Sequence, residues 1–352
     1  MKNNVFKLSG FILLILVAWS CSKTETATSP TALKDALSSS TQNLNTAMTD
    51  IVSSQAFQLL SVSSSGMSTM KSGTVYSANI PLDLVKGVYD YKALKTNESK
   101  NYALIKFFTK TTDASKMIVN MPLAKLKDPR VLREYLKSDS TLTNNFTMTV
   151  SDYHNNYNSY SDYDYLNVAD ITIDKASAGS LNIKSLVNPT TGVQYASQFA
   201  FASGYTAKYA YTSGDTIKSS FTLLKASSVL YKEELLSTKN DTAHFGRENQ
   251  YSLTIGDVKL VRKPDHTTQV YVKNVLQPKA TVTMVDKEST TEPSVCHKRE
   301  IQITFEDGTT STISALIGST ISDLSTLFTS LHNVYFAAYV VDWLGYDIYY
   351  KR

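Results

Sequence analysis

Cysteine is nearly absent from this chain: of 352 residues, Cys21 and Cys296 alone carry thiols. With Cys21 committed elsewhere, as argued below, Cys296 has no partner for an intramolecular bridge, so disulfides do not hold the fold together. Charge is scarce as well, at 19% of residues against about 25% in a typical globular chain. The 35 basic and 31 acidic residues are scattered along the sequence, whereas binding phosphate backbones calls for clustered Lys and Arg, so nucleic acid is not an expected partner. Long hydrophobic runs are missing too. The best one, from Phe11 to Val17, is too short to cross a hydrocarbon core about 30 Å thick as a helix.

Local catalytic motifs are equally lacking. There is no Gly-x-Ser-x-Gly elbow, no His-Glu-x-x-His zinc helix, no phosphate-cradling Gly-rich loop and no dinucleotide fingerprint. His154, His244, His266, His297 and His332 stand apart from one another, and Cys296-His297 would point to opposite faces of a strand. No catalytic residue, metal site or cofactor is expected. Glu233 and Glu234 likewise diverge in a strand, unlike the carboxylate pair of a glycosidase, and read as solvated.

What is present begins with an export signal. Lys2 and Lys7 precede the apolar run, and small residues follow it, the layout of a signal peptide over residues 1–20. Its removal takes both lysines away and lowers the net charge from +4 to +2. The run ends in Ala18-Trp19-Ser20-Cys21, which resembles the lipobox of bacterial lipoproteins. That resemblance implies acylation of Cys21, with residues 21–30 as a tether. Each buried CH₂ contributes about 0.8 kcal/mol, so several chains on one residue make a durable anchor. Ordinary secretion with cleavage near Ser20 is the alternative.

The remainder, 31–352, reads as an α+β, β-rich body: a large antiparallel meander sheet packed with an N-terminal and a C-terminal helix. Ser29-Pro30 followed by Leu33, Leu37, Leu44, Met48 and Ile51 predicts a helix over about 31–60. Asp128-Pro129 predicts a second, local helix. Short β-branched and aromatic runs predict strands from Val75 to Phe305, with Gly204, Ser213-Gly214 and Asp307-Gly308 at hairpin turns. Thr320 and Asp323 fit a helix start, Leu324 through Val341 keep helical spacing, and Gly345 is expected to stop that helix before a last strand over Asp347 to Tyr350. Asn188 to Gly192 is the one candidate for a subdivision.

The most unusual segment is Ser151 to Asp170, where five tyrosines alternate with Asp, Asn and Ser. A polar loop between strands is the plain reading. The chemical alternative is a glycan site in which Tyr157, Tyr160 and Tyr163 stack on sugar rings while Asp162 and Asp164 bind hydroxyls. Asp139-Ser140-Thr141, Asp215-Thr216-Ile217 and Asp241-Thr242-Ala243 resemble the O-glycosylation triplet of Bacteroidota envelope proteins.

Together with Gly87-Val88-Tyr89-Asp90-Tyr91 and the Leu82 to Tyr91 region, the lipobox-like end gives the chain its resemblance to uncharacterised Bacteroidota-type lipoproteins. This implies a lipid-anchored place in the bacterial cell envelope, at the outer membrane, either periplasmic or surface-exposed. The expected function is non-catalytic binding of a ligand or partner. The rivals are an apolar-ligand or lipid carrier, with a half-barrel cavity plugged by the helix from Ile321 to Asp342, and a glycan-binding surface lipoprotein.

Overall fold

The computed structural model describes residues 30–60, 77–94, 102–127, 141–240, 246–286 and 299–351. Cys21, Cys296, His244, His297, the tether up to residue 29 and the helix expected after Asp128 lie outside them. So does most of the Asp139 triplet and all of the Asp241 triplet.

Two helices open the described chain, α1 (Pro30–Val52) and α2 (Gln55–Leu60). The expected single helix is broken because the Ser54 hydroxyl accepts the Phe57 N–H at 3.2 Å, capping a new helix start. Then come β1 (Ala78–Pro81), α3 (Leu82–Val85) and β2 (Gly87–Tyr91), so the strand expected from Val85 is shortened by a helical turn. Leu104–Phe107 is a 3₁₀ turn ahead of β3 (Phe108–Thr112), with β4 (Met117–Met121) and α4 (Leu123–Lys127) following.

The meander proper runs through β5 (Phe146–Ser159), β6 (Asp162–Ile173), β7 (Ala176–Asn188), β8 (Gly192–Phe201), β9 (Tyr205–Thr212), β10 (Thr216–Lys225) and β11 (Ser228–Lys239). It continues as β12 (Arg247–Ile255), β13 (Val258–Arg262), β14 (Thr268–Val272) and β15 (Val275–Leu276). Consecutive strands from β4 to β15 pair antiparallel, while β2 lies parallel to β4 and β3 closes that edge, giving a mixed, mostly antiparallel fifteen-stranded sheet. Asn188 pairs with Gly192 across the β7–β8 turn, so the candidate boundary is a hairpin inside one sheet. Among the described residues the end strands β15 and β3 do not pair with each other.

A second sheet of three strands, β16 (Thr281–Asp286), β17 (Arg299–Thr304) and β18 (Thr310–Thr312), precedes α5 (Ile313–Ile317) and the 30-residue α6 (Thr320–Tyr349). Thr312 caps α5 by accepting the Ala315 N–H at 3.1 Å. Helix α6 does not stop at Gly345, and the expected last strand is helical. At that point the helix lies close against the sheet: a Cβ on Gly345 would sit 3.2 Å from the Tyr153 hydroxyl. Thr320 is not a cap either. It is buried, and its hydroxyl donates to Asn45 Oδ1 of α1 at 2.7 Å.

Strand alternation splits the sheet into two faces. One carries Val150, Ala169, Leu181, Phe199, Ala207, Leu223, Tyr231, Ile255, Val258 and Val272, register partners across ten strands and all buried. Burial of Leu37, Leu44, Met48 and Ile51 of α1 and of Leu327, Val341 and Leu344 of α6 completes one continuous core against that face. Tyr205 of β9 fixes α1 by donating its hydroxyl to Asp50 Oδ2 at 2.7 Å, and Ser40 accepts the Asp257 N–H at 3.2 Å. The other face carries polar side chains, most of them in contact with solvent.

Candidate functional site

Ser151 to Asp170 is a hairpin and not a loop. Strands β5 and β6 pair almost to their tips, with Tyr153 opposite Asn167, Asn155 opposite Tyr165 and Tyr157 opposite Tyr163. The turn is held locally: Asn158 Nδ2 donates to Asp162 Oδ2 at 3.0 Å, and Ser159 Oγ accepts the Ser161 N–H at 3.2 Å. Polar residues that favour loops on composition can still form strands where every second one has a surface to cover.

That surface is α6. Tyr339, Asp342 and Tyr346 follow one another by three and four residues, which lines them up on one helix face. The Asp342 carboxylate accepts two phenols, Tyr153 at 3.0 Å and Tyr165 at 3.2 Å. Asn167, fully buried, donates from Nδ2 to the Tyr165 oxygen at 3.3 Å, and the Tyr346 hydroxyl reaches Asn155 Oδ1 at 3.5 Å. Burial pushes the Asp342 carboxyl up to about 7, and its two tyrosine donors only partly oppose this. Residue 342 keeps a little surface exposure, but its carboxyl is enclosed by the helix–sheet seam. The same burial, reinforced by the Asp342 charge, holds the Tyr153 and Tyr165 phenols far above their ordinary range, so both stay donors.

From this seam a train of rings leads outward. Tyr153 meets Tyr165 edge-on at 6.3 Å, and Tyr165 stacks on Tyr163 at 6.0 Å. Tyr163 meets Tyr157 at 5.9 Å, and Tyr157 meets Tyr160 edge-on at 5.8 Å. Exposure rises along it, from 2% at Tyr153 to 77% at Tyr160. The hairpin thus joins Tyr157, Tyr160 and Tyr163 at one tip. Asp162 stays with the turn, while Asp164 leaves the group: it faces the opposite side, 3.1 Å from His154 Nε2. The five residues singled out in the sequence therefore do not converge on a single site.

No family model, curated protein or solved structure matches the chain.

What it does must be read from its own residues. Glu233 and Glu234 are not solvated as expected. Glu233 accepts the Tyr231 hydroxyl, and Glu234, half-buried on the other face, pairs with Lys232 at 2.8 Å and Lys218 at 3.3 Å. Asp347, buried in α6, accepts the Ile105 N–H at 3.0 Å at the start of the 3₁₀ turn. Among the described residues no three His, Cys, Asp or Glu side chains gather as metal ligands, and no helix is long and apolar enough to cross a membrane. Where α6 meets β5 and β6 it finds phenols, amides and a carboxyl. The seam around Asp342 has one signal in the sequence, a lone Asp within Tyr339-Val340-Val341-Asp342-Trp343-Leu344: an acid inside an apolar helix needs partners.

Proposed function

We propose that the chain is an envelope lipoprotein, exported, acylated at Cys21 and held at the outer membrane, whose β-rich body binds a ligand without transforming it. The ligand surface is the β5–β6 tip, and its chemistry favours a glycan. One observation supports this above the rest: Tyr160, 77% exposed, stands edge-on against Tyr157 at the end of a ring train whose inner members are tied to Asp342. Rigid aromatic faces offered to water with little conformational freedom left to lose suit the apolar faces of sugar rings. Asn158 and Asp162 beside them supply donors and acceptors for sugar hydroxyls. The Asp162 carboxylate at the tip accepts from Asn158, and Asp342 at the inner end of the ring train accepts from two phenols, which fits recognition better than acid–base chemistry.

The test is a glycan array probed with the purified mature chain and with Tyr160→Ala. Retention of defined glycans by the first and their loss by the second is the expected result. Identical patterns, or none from either, would remove the tip as a binding surface.

A further inference from the structure

The lysines that are scattered in sequence are collected by the sheet. On the polar face, strand register sets Lys208 of β9 opposite Thr222 of β10, Thr222 opposite Lys232 of β11, Lys232 opposite Thr254 of β12, and Thr254 opposite Lys259 of β13. The outcome is one straight row, Lys-Thr-Lys-Thr-Lys, perpendicular to the strands. Gln198 and Asn182 continue it on β8 and β7. Neighbouring strands lie about 4.8 Å apart, so the three lysine positions recur every ~9.6 Å along the row. Lys184 and Lys218 share the same face one and two rungs away and are exposed.

Against these five lysines, the face from β7 to β13 carries Glu234, shared by Lys218 and Lys232, and Glu248 near one strand end. Lys208 and Lys259 have no ion pair among the described residues. Lys208, Lys232 and Lys259 are all half-buried, so their stems lie along the sheet and the heads reach solvent. The charge changes sign along the same face. Asp152 occupies the lysine row at its β5 end, through Val168 to Asn182, and Asp164 and Asp170 flank it on β6.

We infer that this row is a track for a linear anionic polysaccharide with one carboxylate for every two sugars, running across β9 to β13. Such a polymer repeats its charge at close to the spacing of alternate strands. Its acid groups would meet Lys208, Lys232 and Lys259 in turn, and the Thr222 and Thr254 hydroxyls would face the sugar between. Complementary charge steers the polymer onto this half and repels it from the β5–β6 half. The same acid half counts against an anionic bilayer, which would have to lie along the whole face. This surface is separate from the tyrosine tip and goes beyond it.

The experiment is a binding titration of the full mature chain with hyaluronan oligosaccharides, with neutral dextran and anionic phospholipid vesicles as comparisons. Hyaluronan should bind and weaken as salt is raised, and dextran should not bind. Lys208→Gln, Lys232→Gln and Lys259→Gln together should weaken it by about tenfold or more. Lys86→Gln, Lys106→Gln and Lys175→Gln together should leave it within about twofold. Thermal melts establish that each variant is folded, and if the row triple is not, Lys208→Gln alone should still weaken binding while Lys208→Arg restores it. The inference is overturned if hyaluronan fails to bind, if dextran binds as well, if both lysine triples cost the same, or if vesicles are captured through the row lysines. A negative result here with a positive glycan array leaves the tip standing, so the two readings fail separately.

Discussion

Tyr153 of β5 donates its hydroxyl to Asp342 of α6 across 3.0 Å, and the same hydroxyl would touch any side chain at Gly345. One phenol therefore both bonds the Asp342 carboxyl and marks how closely α6 lies on the sheet.

The Asp342 carboxyl, raised from an ordinary 3.8 to about 7 in the folded chain, makes stability depend on pH. A raised folded value means that the contribution is fully present below the unfolded value and is lost as pH climbs through the folded one. Stability should fall between about pH 4 and pH 7 by roughly 4 kcal/mol and level off above. Urea midpoints across that window measure it. Asp342→Asn should flatten the curve, and an unchanged slope in that variant would assign the dependence to other groups.

Gly345 lies inside a helix, where alanine would ordinarily be the better residue by about 0.5–1 kcal/mol. Here Gly345→Val should cost about 1–3 kcal/mol, because the added atoms press on a tyrosine that Asp342 pins in place. Thermal unfolding of the variant gives the sign directly. A gain in stability would mean that α6 and β5 are not in close contact there.

How much of this was legible in the sequence follows from which forces were local. The meander was readable because alternation and turn residues act within a few positions: Gly204 and Gly308 do adopt positive φ, at 85° and 80°. The turns at Asp174-Lys175 and Lys273-Asn274 were less visible, since their residues take positive φ without glycine. Misreadings arose where a long-range partner overrode a local rule. Thr320 looks like a cap and is spent on Asn45; Gly345 looks like a stop and is a contact point. The tyrosine-rich stretch was conspicuous by composition, but its split between two faces depends on the pairing register of β5 with β6, which composition does not encode. The lysine row is hidden for the same reason, being assembled from five strands.

Removing the phenol of Tyr205 tests how α1 is held. Tyr205→Phe loses the 2.7 Å bond to Asp50 and should destabilise by about 1–2 kcal/mol, as for a hydrogen bond to a charged group near the surface. Chemical denaturation with an unchanged m-value is the expected signature.

Tyr160, by contrast, should be dispensable for folding. At 77% exposure its replacement by alanine should shift stability by less than about 0.5 kcal/mol, so that any loss of glycan binding in that variant belongs to recognition. A large drop in melting temperature would mean instead that the ring closes the tip.

The proposal that the body works at a membrane surface is tested most directly by metabolic labelling with radioactive palmitate, followed by detergent phase separation. The wild-type chain should carry label and enter the detergent phase, and Cys21→Ser should do neither. An unlabelled wild-type protein found wholly in the aqueous phase would contradict the anchor and leave an exported binding protein without a fixed address.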